Sequence, residues 1–398
     1  MKYIILLADG MADRPVEELG GKTPLQAANT PAMDALFKKS RCGMVRTLYQ
    51  GYPLGSDVGN MTILGYDPHK YYTGRAAMEA ANLGIELAPK EVAFRCNLTY
   101  VTNNIMEDYS AGHITTKEAK ELIKLIDKKL GSKDIKFYPG KSYRHIMVMR
   151  GGEDIKATPP HDIPGQNIEK YLPKGSKSSM LIQLMQDSQF LLEGHEVNVA
   201  RRAEGKPPAN MIWLWGQGRK LELAKFKDTY GIEGAVISAV DLVNGIGLSM
   251  GLEVINVPGV TGYIDTNWKG KTSAALKALK KKDFVYLHIE ATDEMGHNGN
   301  AQEKIKAIEL FDGEIVKPVV EGIKLLGDHK IMVASDHATP VKLRTHTDEP
   351  VPFFIYDSTK EAVNEVDSLS EASVNEKSAL KFENGWELLP YFLNKKQD

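Results

Sequence analysis

The segment KYIILLADG (residues 2–10) decides the fold class of this sequence. Its apolar run is almost continuous, as in strands of a parallel sheet that helices cover on both faces. Two further segments have the same character, DFVYLHI at 283–289 and KIMVAS at 330–335. Longer amphipathic segments alternate with such runs, which predicts alternating strands and helices. We therefore expect an α/β fold with a mostly parallel central sheet covered by helices.

The amphipathic segments predict helices whose ends carry recognisable signals. At 116–130 the helix is preceded by Thr115, with Glu118 three residues later, the pattern of a capping box. The polar stretch 357–376 reads as a surface excursion before a C-terminal helix. The predicted helices are 31–39, 57–65, 116–130, 178–193, 240–250, 272–280, 300–326 and 378–393.

Composition bounds the class of protein. The 398 residues include 50 Lys and Arg against 52 Asp and Glu, for a net charge of −2, so no basic footprint for nucleic acid is present. The apolar run from Tyr3 to Ala8 is too short for a signal peptide or a membrane span. We expect a cytoplasmic protein with neither nucleic-acid nor membrane partners, and the sequence leaves its oligomeric state open.

The middle of the chain differs from its flanks. It is richer in Arg and His, and it is bracketed by Leu87-Ala-Pro-Lys90 and Gly205-Lys-Pro-Pro208, which are typical of linkers. The prediction is a discontinuous domain formed by residues 1–90 and 209–398, with a smaller α+β domain inserted at 91–208.

Metal-ligand residue types follow the apolar strands. Asp9 follows the first, Asp293 and His297 the second, and Asp336 and His337 the third, while His346 lies farther along. Each alone is also typical of a turn, a cap or a surface pair. Sites in α/β sheets form at the carboxyl ends of strands, so their shared position favours function. Three carboxylates and three imidazoles suit two mixed sites for Mn²⁺, Zn²⁺ or Mg²⁺.

Ser56, in PLGSDVGN (53–60), stands at the predicted start of a helix. A serine there is often a plain N-cap. It is also where helix N–H groups would meet an incoming phosphate. A serine hydroxyl is a weak nucleophile at neutral pH and would need a nearby metal ion or base. The sequence alone leaves both interpretations open.

Taken together, these motifs resemble a known family. DGMAD (9–13), GSDVGN (55–60), TDEMGH (292–297), SDH (335–337) and THTDEPVPF (345–353) are similar, in the same order, to motifs of archaeal-type cofactor-independent phosphoglycerate mutases. That family belongs to the alkaline phosphatase superfamily. The resemblance covers essentially the whole chain, including KTPLQAANTP (22–31) and YRHIMVMRG (143–151).

The resemblance implies an alkaline-phosphatase-like domain that holds two divalent ions, Mn²⁺ being favoured over Mg²⁺ or Zn²⁺. One ion would be held by Asp293, His297 and His346, and the other by Asp9, Ser56, Asp336 and His337. Ser56 would be the nucleophile of an isomerase that interconverts 3-phosphoglycerate and 2-phosphoglycerate, in glycolysis and gluconeogenesis, through a phosphoserine. The inserted domain would act as a lid that binds this small phosphorylated substrate, with candidates Asp108, His113, Arg144, His145, His161 and Arg201.

Two positions depart from the archaeal pattern. Archaeal mutases often carry Lys where this chain has Glu290, in LHIEATD, and where it has Asn244, in DLVNGIG. Fewer positive charges would favour a substrate with an ammonium group. WLWGQGR (213–219) also resembles a bacterial branch that includes proposed homoserine kinases. A kinase of that kind is therefore the alternative to a mutase; a metal-dependent phosphatase and a non-enzymatic binding module are the remaining hypotheses.

Overall fold

A computed structural model describes residues 1–366 and 368–395. The chain divides into two compact units, Met1–Tyr72 with Glu222–Asp398, and Thr73–Leu221. The divisions therefore fall outside the predicted limits of the insertion, 91–208. A helix that ends before residue 91, Arg75–Asn82, and a strand that begins after residue 208, Met211–Arg219, both belong to the second unit.

The strands of the described residues are β1 (Lys2–Ala8), β2 (Arg41–Val45), β3 (Glu91–Thr102), β4 (Ile105–Asp108), β5 (Ile135–Lys141), β6 (Arg144–Arg150), β7 (Met211–Arg219), β8 (Gly234–Ile237), β9 (Glu253–Val254), β10 (Phe284–Ile289), β11 (His329–Ala334), β12 (Val351–Asp357) and β13 (Leu380–Phe382).

The α-helices are α1 (Pro24–Ala27), α2 (Pro31–Phe37), α3 (Ser56–Ile63), α4 (Pro68–Tyr71), α5 (Arg75–Asn82), α6 (Thr116–Leu130), α7 (Ser178–Glu193), α8 (Glu196–Ala203), α9 (Phe226–Tyr230), α10 (Asp241–Ser249), α11 (Trp268–Leu279), α12 (Ala291–His297), α13 (Ala301–Leu310), α14 (Lys317–Ile323), α15 (Glu371–Lys377) and α16 (Leu388–Leu393). A π-helical segment, Phe311–Val316, joins α13 to α14.

The first unit is built on an eight-stranded sheet, in the order β13-β2-β12-β11-β1-β10-β8-β9. The strands β8, β10, β1 and β11 are parallel neighbours, whereas β12 pairs antiparallel with both β11 and β2. Leu6 pairs with Leu287 on one side and Val333 on the other. This register brings the carboxyl ends of β1, β10 and β11 to the same edge of the sheet.

The second unit is an antiparallel sheet with helices. The long strand β3 pairs with β4 and β6 and also with β7, and β6 pairs with β5. One set of β3 side chains, including Phe94 and Cys96, packs in a core with Leu122 of α6 and Leu181 of α7. The predicted fold class, an α/β domain with a largely parallel central sheet and a smaller α+β domain, is confirmed.

The outcome of the helix predictions varies along the chain. The predicted helix 300–326 is divided into α13, the π-helical segment, α14 and a 3₁₀ turn at Lys324–Leu326. The helices at 116–130 and 178–193 begin and end at the predicted residues. Both hydrogen bonds of the capping box between Thr115 and Glu118 are present. None of the helices in the part of the chain that the structure describes is long and apolar enough to cross a membrane.

The C-terminal predictions were partly wrong. Residues 378–393 form β13, a 3₁₀ turn at Gly385–Glu387 and the short helix α16 instead of one helix. Leu380 pairs with Gly43 at the edge of β2. A Cβ at residue 43 would lie 2.4 Å from the Leu380 carbonyl oxygen, so this pairing depends on glycine. The preceding polar stretch also contributes buried side chains, because Val366, Leu369 and Val374 join the core.

A buried ion pair ties α13 to two loops of the first unit. The Lys304 ammonium lies 2.8 Å from Oδ2 of Asp13, and both side chains are almost fully buried. It also donates to the carbonyl oxygens of Ala12, at 3.2 Å, and Thr339, at 2.9 Å. All three donors of the ammonium are used, and the pair therefore holds the loop after β1 against the loop after β11.

We expect Lys304→Met to lower the free energy of unfolding of the first unit by about 3–5 kcal/mol, because the Asp13 carboxylate would stay buried without its cation. Urea unfolding followed by circular dichroism measures this loss. Lys306→Met is the matched control on the same helix, since the ion pair of Lys306 with Glu303 is exposed. It should change the free energy by about 0–1 kcal/mol. Equal losses in the two variants would contradict the role given to Lys304.

Candidate metal centre

One half of the candidate site forms around Asp9, which directly follows β1 and is fully buried. The hydroxyl of Ser56, the first residue of α3, lies 3.5 Å from Oδ1 of Asp9 and 3.1 Å from Nε2 of His337. The same imidazole nitrogen is 3.3 Å from Oδ1 of Asp9 and 3.5 Å from Oδ2 of Asp336. Four residues predicted as ligands of one ion therefore converge in the interior of the first unit.

The other half forms around Asp293 on α12, the helix that follows β10. Its carboxylate lies 3.2 Å from Nε2 of His297 and 3.5 Å from Nε2 of His346. The two imidazole Nε2 atoms are 2.9 Å apart. The ring of His346 also packs on that of His337, with 4.1 Å between centroids, and this contact joins the two halves.

Close backbone approach is required where the halves meet. Gly10 adopts a left-handed conformation, with φ of 58°. A Cβ at this residue would lie 2.4 Å from Oδ1 of Asp293 and from Oγ1 of Thr339. Its N–H donates to Oδ1 of Asp336 at 3.1 Å. Glycine at this position thus lets the turn after β1 reach both carboxylates.

Polar side chains on neighbouring elements hold the Asp336 carboxylate. Asn60 of α3 donates from Nδ2 to Oδ2 of Asp336 at 2.7 Å and to the Ser56 carbonyl oxygen at 2.9 Å. The Tyr286 hydroxyl on β10 donates to Oδ1 of Asn60 at 2.6 Å. This buried chain of hydrogen bonds fixes the start of α3, and with it Ser56, relative to the sheet.

Two groups of potential ligand atoms are compact enough to surround an ion. One consists of Asp293, His337 and His346, and the other of Asp9, His288 and Asp336; within each group the donor atoms lie within 4.8 Å of one another. The grouping differs from the sets that the family resemblance implies. His337 lies with Asp293 in the first group, and His288, on β10, was not among the predicted residues.

The protonation of these groups reflects burial and crowding. Burial, with the nearby charges of Asp336 and Glu290, raises the pKa of Asp9 well above its usual range. Burial also raises the pKa of Asp336 to about 7. For Asp293, burial is outweighed by hydrogen bonds from His297 and His346, which lower its pKa well below the usual range. The same Asp293 carboxylate outweighs burial at His297 and raises that pKa to about 9.

This donor set fits divalent cations. Buried carboxylates that raise one another's pKa need a compensating positive charge. The carboxylates of Asp9, Asp293 and Asp336 accept hydrogen bonds from backbone N–H, hydroxyl, amide and imidazole groups. Oxygen and imidazole nitrogen donors without thiolates suit Mn²⁺, Zn²⁺ or Mg²⁺. The residues present can therefore hold metal ions.

Of the two positions that depart from the archaeal pattern, Glu290 lies near Asp9. Oε2 of Glu290 is 3.7 Å from Nε2 of His288, and burial raises the pKa of Glu290 to about 8. Asn244 donates from Nδ2 to the Ser238 carbonyl oxygen at 3.3 Å. Glu290 thus adds a carboxyl group to the site, whereas the Asn244 side chain stabilises the backbone at Ser238.

Part of the predicted substrate-binding set lies among aromatic rings in the second unit. The guanidinium of Arg144 lies 5.4 Å from the ring centre of Tyr143, and the ring of His113 lies 6.0 Å from it. The His161 ring packs on Trp215, with centroids 5.2 Å apart. Arg144, His113 and His161 are all exposed. We call these three, with Tyr143 and Trp215, the basic-aromatic cluster.

The other predicted substrate ligands have partners within the second unit. Arg201 is buried and donates to Glu118 and to the carbonyl oxygens of Ala111 and Pro207. His145 is buried and accepts from the Gly140 N–H through Nδ1. Asp108 accepts from the N–H groups of Ser110 and Gly112. These contacts stabilise the loops that present the exposed residues of the cluster.

Sequence reasoning missed two arginines beside this cluster. Glu79 of α5 lies 3.2 Å from Nε of Arg75 and 3.0 Å from Nε of Arg95. Burial of Glu79 is outweighed by Arg95, Arg75 and Arg144, and its pKa is lowered. Arg95 also stacks on the Trp215 ring at 4.2 Å. The Glu79 carboxylate thus lies against Arg75 and Arg95, and the charge of Arg144 also lowers its pKa.

Comparison with known proteins identifies the family of this chain. Residues 38–198 match the family described as 2,3-bisphosphoglycerate-independent phosphoglycerate mutase. Proteins of that name from Methanosarcina mazei and Methanothrix thermoacetophila are 50% and 51% identical over 377 residues, which are 94% of this chain and 95% of each relative. The chain belongs to this family.

Solved structures extend the similarity to the fold. The cofactor-independent phosphoglycerate mutase of Thermoplasma acidophilum is 25% identical, with a TM-score of 0.65 over 99% of this chain and 100% of its own. A Pyrococcus horikoshii protein is 29% identical, with a TM-score of 0.84 over 100% of this chain and 98% of its own. The family relationship thus spans both units of the chain.

We expect the metal-free protein to lose stability as the pH rises from 6.5 to 8. Asp336 and Glu290 have pKa values raised to about 7 and 8, and that of His297 is raised to about 9. Each binds its proton more tightly in the folded state than in the unfolded one, so deprotonation in this range favours unfolding. Metal ions require deprotonated ligands, so saturating Mn²⁺ should remove or reverse the trend. Thermal unfolding in chelator and in Mn²⁺ measures both profiles.

The variant Asp336→Asn is the control for this profile, because an amide does not titrate. Its metal-free stability should fall less steeply over the same pH range. A metal-free wild type that gains stability between pH 6.5 and 8 would contradict the assignment.

Proposed function

We propose that this protein is a metal-dependent isomerase that interconverts 3-phosphoglycerate and 2-phosphoglycerate through a phosphorylated Ser56. The observation that carries the proposal is the convergence of Ser56 with the carboxylates and imidazoles of the candidate metal centre. The whole-chain similarity to mutases of this family supports the same activity.

We propose two divalent ions, with Mn²⁺ favoured. Asp293, His297 and His346 would hold one, and Asp9, Ser56, Asp336 and His337 the other. Bound ions supply Lewis acidity that makes the Ser56 hydroxyl a nucleophile and offsets charge on the phosphoryl oxygens. Asn60 is outside both sets, but its hydrogen bond to the Ser56 carbonyl oxygen fixes the start of α3 and thereby the position of the Ser56 hydroxyl.

Ser56 would act in two steps that restore it at the end. In the first step Oγ gives up its proton and forms a bond to phosphorus while the bond from phosphorus to the substrate O3 breaks, and O3 takes up a proton. In the second step the 2-hydroxyl of the bound glycerate loses its proton and forms a bond to phosphorus, while the bond from phosphorus to Oγ breaks and Oγ takes up a proton. Water must be excluded between the steps, because it would convert the transfer into hydrolysis.

The second unit would bind the anionic groups of the substrate. Phosphoglycerate carries a carboxylate and a phosphate, and planar guanidinium groups bind either in a bidentate manner. Arg144 is exposed, and Arg75 and Arg95 lie around Glu79 nearby. We propose that Arg144, His113 and His161 contact substrate, while Arg201, His145 and Asp108 position the loops that carry them.

Assays on the Mn²⁺-loaded protein test the function. Conversion of 3-phosphoglycerate to 2-phosphoglycerate, coupled to enolase, should proceed without 2,3-bisphosphoglycerate and stop on addition of chelator. Ser56→Ala should lower kcat by at least about 10³-fold and abolish trapping of labelled phosphate on the protein, because the nucleophile is absent. Ser370→Ala is the control, since Ser370 is also a buried serine at a helix start. It should lower stability by about 1 kcal/mol and leave phosphate trapping intact.

A second candidate function is phosphorylation of a hydroxyl group on an ammonium-bearing acceptor. Glu290 favours it, because its carboxyl group lies beside Asp9 and His288, where it would attract a cation and repel phosphoglycerate. The same preparation should therefore be assayed with ATP and homoserine. Activity in this second assay alone would replace the mutase proposal. Hydrolysis of phosphoglycerate without isomerisation would indicate a phosphatase.

We expect Arg144→Ala to raise the KM for phosphoglycerate about 10- to 100-fold, with a smaller effect on kcat, since a charge-assisted contact to substrate is worth about 1.5–3 kcal/mol. Arg150→Ala is the matched control, because Arg150 is an exposed arginine at the other end of β6. It should leave KM unchanged. Equal KM values for the two variants would remove Arg144 from the substrate contacts.

A further inference from the structure

A buried histidine outside the predicted ligand set contacts Asp9 directly. His288 lies on β10, the strand that pairs with β1, and is fully buried. Its Nε2 is 2.8 Å from Oδ2 of Asp9. The other carboxylate oxygen of Asp9, Oδ1, faces Ser56 at 3.5 Å and His337 at 3.3 Å. The two oxygens of Asp9 therefore face different partners.

The contacts of Ser238 favour one tautomer of the His288 imidazole. Its hydroxyl oxygen accepts the Val240 N–H at 2.9 Å and lies 3.1 Å from Nδ1 of His288. The hydroxyl hydrogen is satisfied by this contact when Nδ1 is an unprotonated acceptor. In the neutral imidazole the proton then resides on Nε2, and this N–H donates a hydrogen bond to Oδ2 of Asp9.

The backbone around this contact is also fixed. The Lys271 ammonium on α11 donates to the carbonyl oxygen of His288 at 3.0 Å and is itself buried. The hydroxyl of Thr292 donates to the carbonyl oxygen of Asp9. Because both partners are anchored, the Asp9 carboxylate has little freedom to rotate.

We propose that His288 is a positioning residue for the metal centre: its Nε2–H holds Oδ2 of Asp9, so that Oδ1 alone is presented toward Ser56 and a bound ion. Ser238 fixes the imidazole tautomer that makes this possible. Partners of this kind behind metal ligands orient them and contribute to metal affinity. The inference rests on the proposed metal centre and is independent of which phosphoryl acceptor the enzyme uses.

The first test measures Mn²⁺ binding by calorimetry in three variants. His288→Leu removes the donor to Asp9 and should weaken Mn²⁺ binding about 10- to 100-fold. His288→Gln keeps an N–H donor near the position of Nε2 and should restore the affinity to within about threefold of wild type. His329→Leu is the matched control: His329 is buried at the start of the neighbouring strand β11, opposite Lys2 at the far end of β1. It should leave Mn²⁺ affinity unchanged even if it lowers stability.

The second test observes the tautomer in the metal-free protein by ¹⁵N NMR with labelled histidine. The chain has 10 histidines, and the His288 signals are those lost in His288→Gln. We expect a protonated Nε2 and an unprotonated Nδ1, and a mixture of tautomers in Ser238→Ala. A proton on Nδ1 in the wild type would overturn the proposal.

The remaining outcomes separate positioning from its alternatives. If His288 were a ligand, electron spin echo spectra of bound Mn²⁺ would lose a nitrogen coupling in His288→Gln, and glutamine would fail to rescue affinity. Equal Mn²⁺ affinity in His288→Leu and His329→Leu would show that His288 has a purely structural role. A wild-type protein that binds no Mn²⁺ would overturn both the proposed metal centre and this inference. A protein without mutase activity whose Mn²⁺ affinity still depends on His288 would overturn the proposed reaction and support the inference.

Discussion

Three buried carboxylates crowded at one edge of a parallel sheet are the constraint on which this structure depends. Asp9, Asp293 and Asp336 are brought together because β1 pairs in parallel with both β10 and β11. Each of them is almost completely removed from solvent. Buried carboxylates that lie close together raise one another's pKa unless cations or hydrogen bonds compensate for the charge. The surrounding imidazoles, and the ions we propose, would supply this compensation.

The polar residues behind the site serve the same constraint. Asn60 and Tyr286 hold Asp336, and His288 and Ser238 hold Asp9. Each link crosses from one strand or helix to another. A fully satisfied buried network of this kind rigidifies its members, since breaking any bond would leave a polar group unpaired in the interior. The network therefore also fixes Ser56, as the proposed in-line attack on phosphorus would require.

The net charge of −2 conceals a sorting of charge within the chain. Carboxylates and imidazoles collect in the first unit, at the strand ends. Guanidinium groups collect in the second, where Arg75, Arg95 and Arg144 surround Glu79. Metal-dependent phosphoryl transfer requires a site for cations and a site for anions, and we propose that these two clusters supply them. Glu290 adds a further carboxyl group beside Asp9. We therefore expect this residue to influence whether the enzyme accepts phosphoglycerate or an ammonium-bearing substrate.

The sequence by itself determined the features that local patterns encode. Apolar runs identified the strands that precede Asp9 and Asp336, and the capping box indicated where α6 begins. Collinear motifs identified the family. Tertiary structure alone decided which side chains meet. His288 reads as one more residue of a buried strand until the register of β1 with β10 places it against Asp9. Arg201 reads as a surface cation until helix α8 is packed so that its guanidinium meets Glu118. Such pairings depend on register and packing between distant segments, which no local pattern contains.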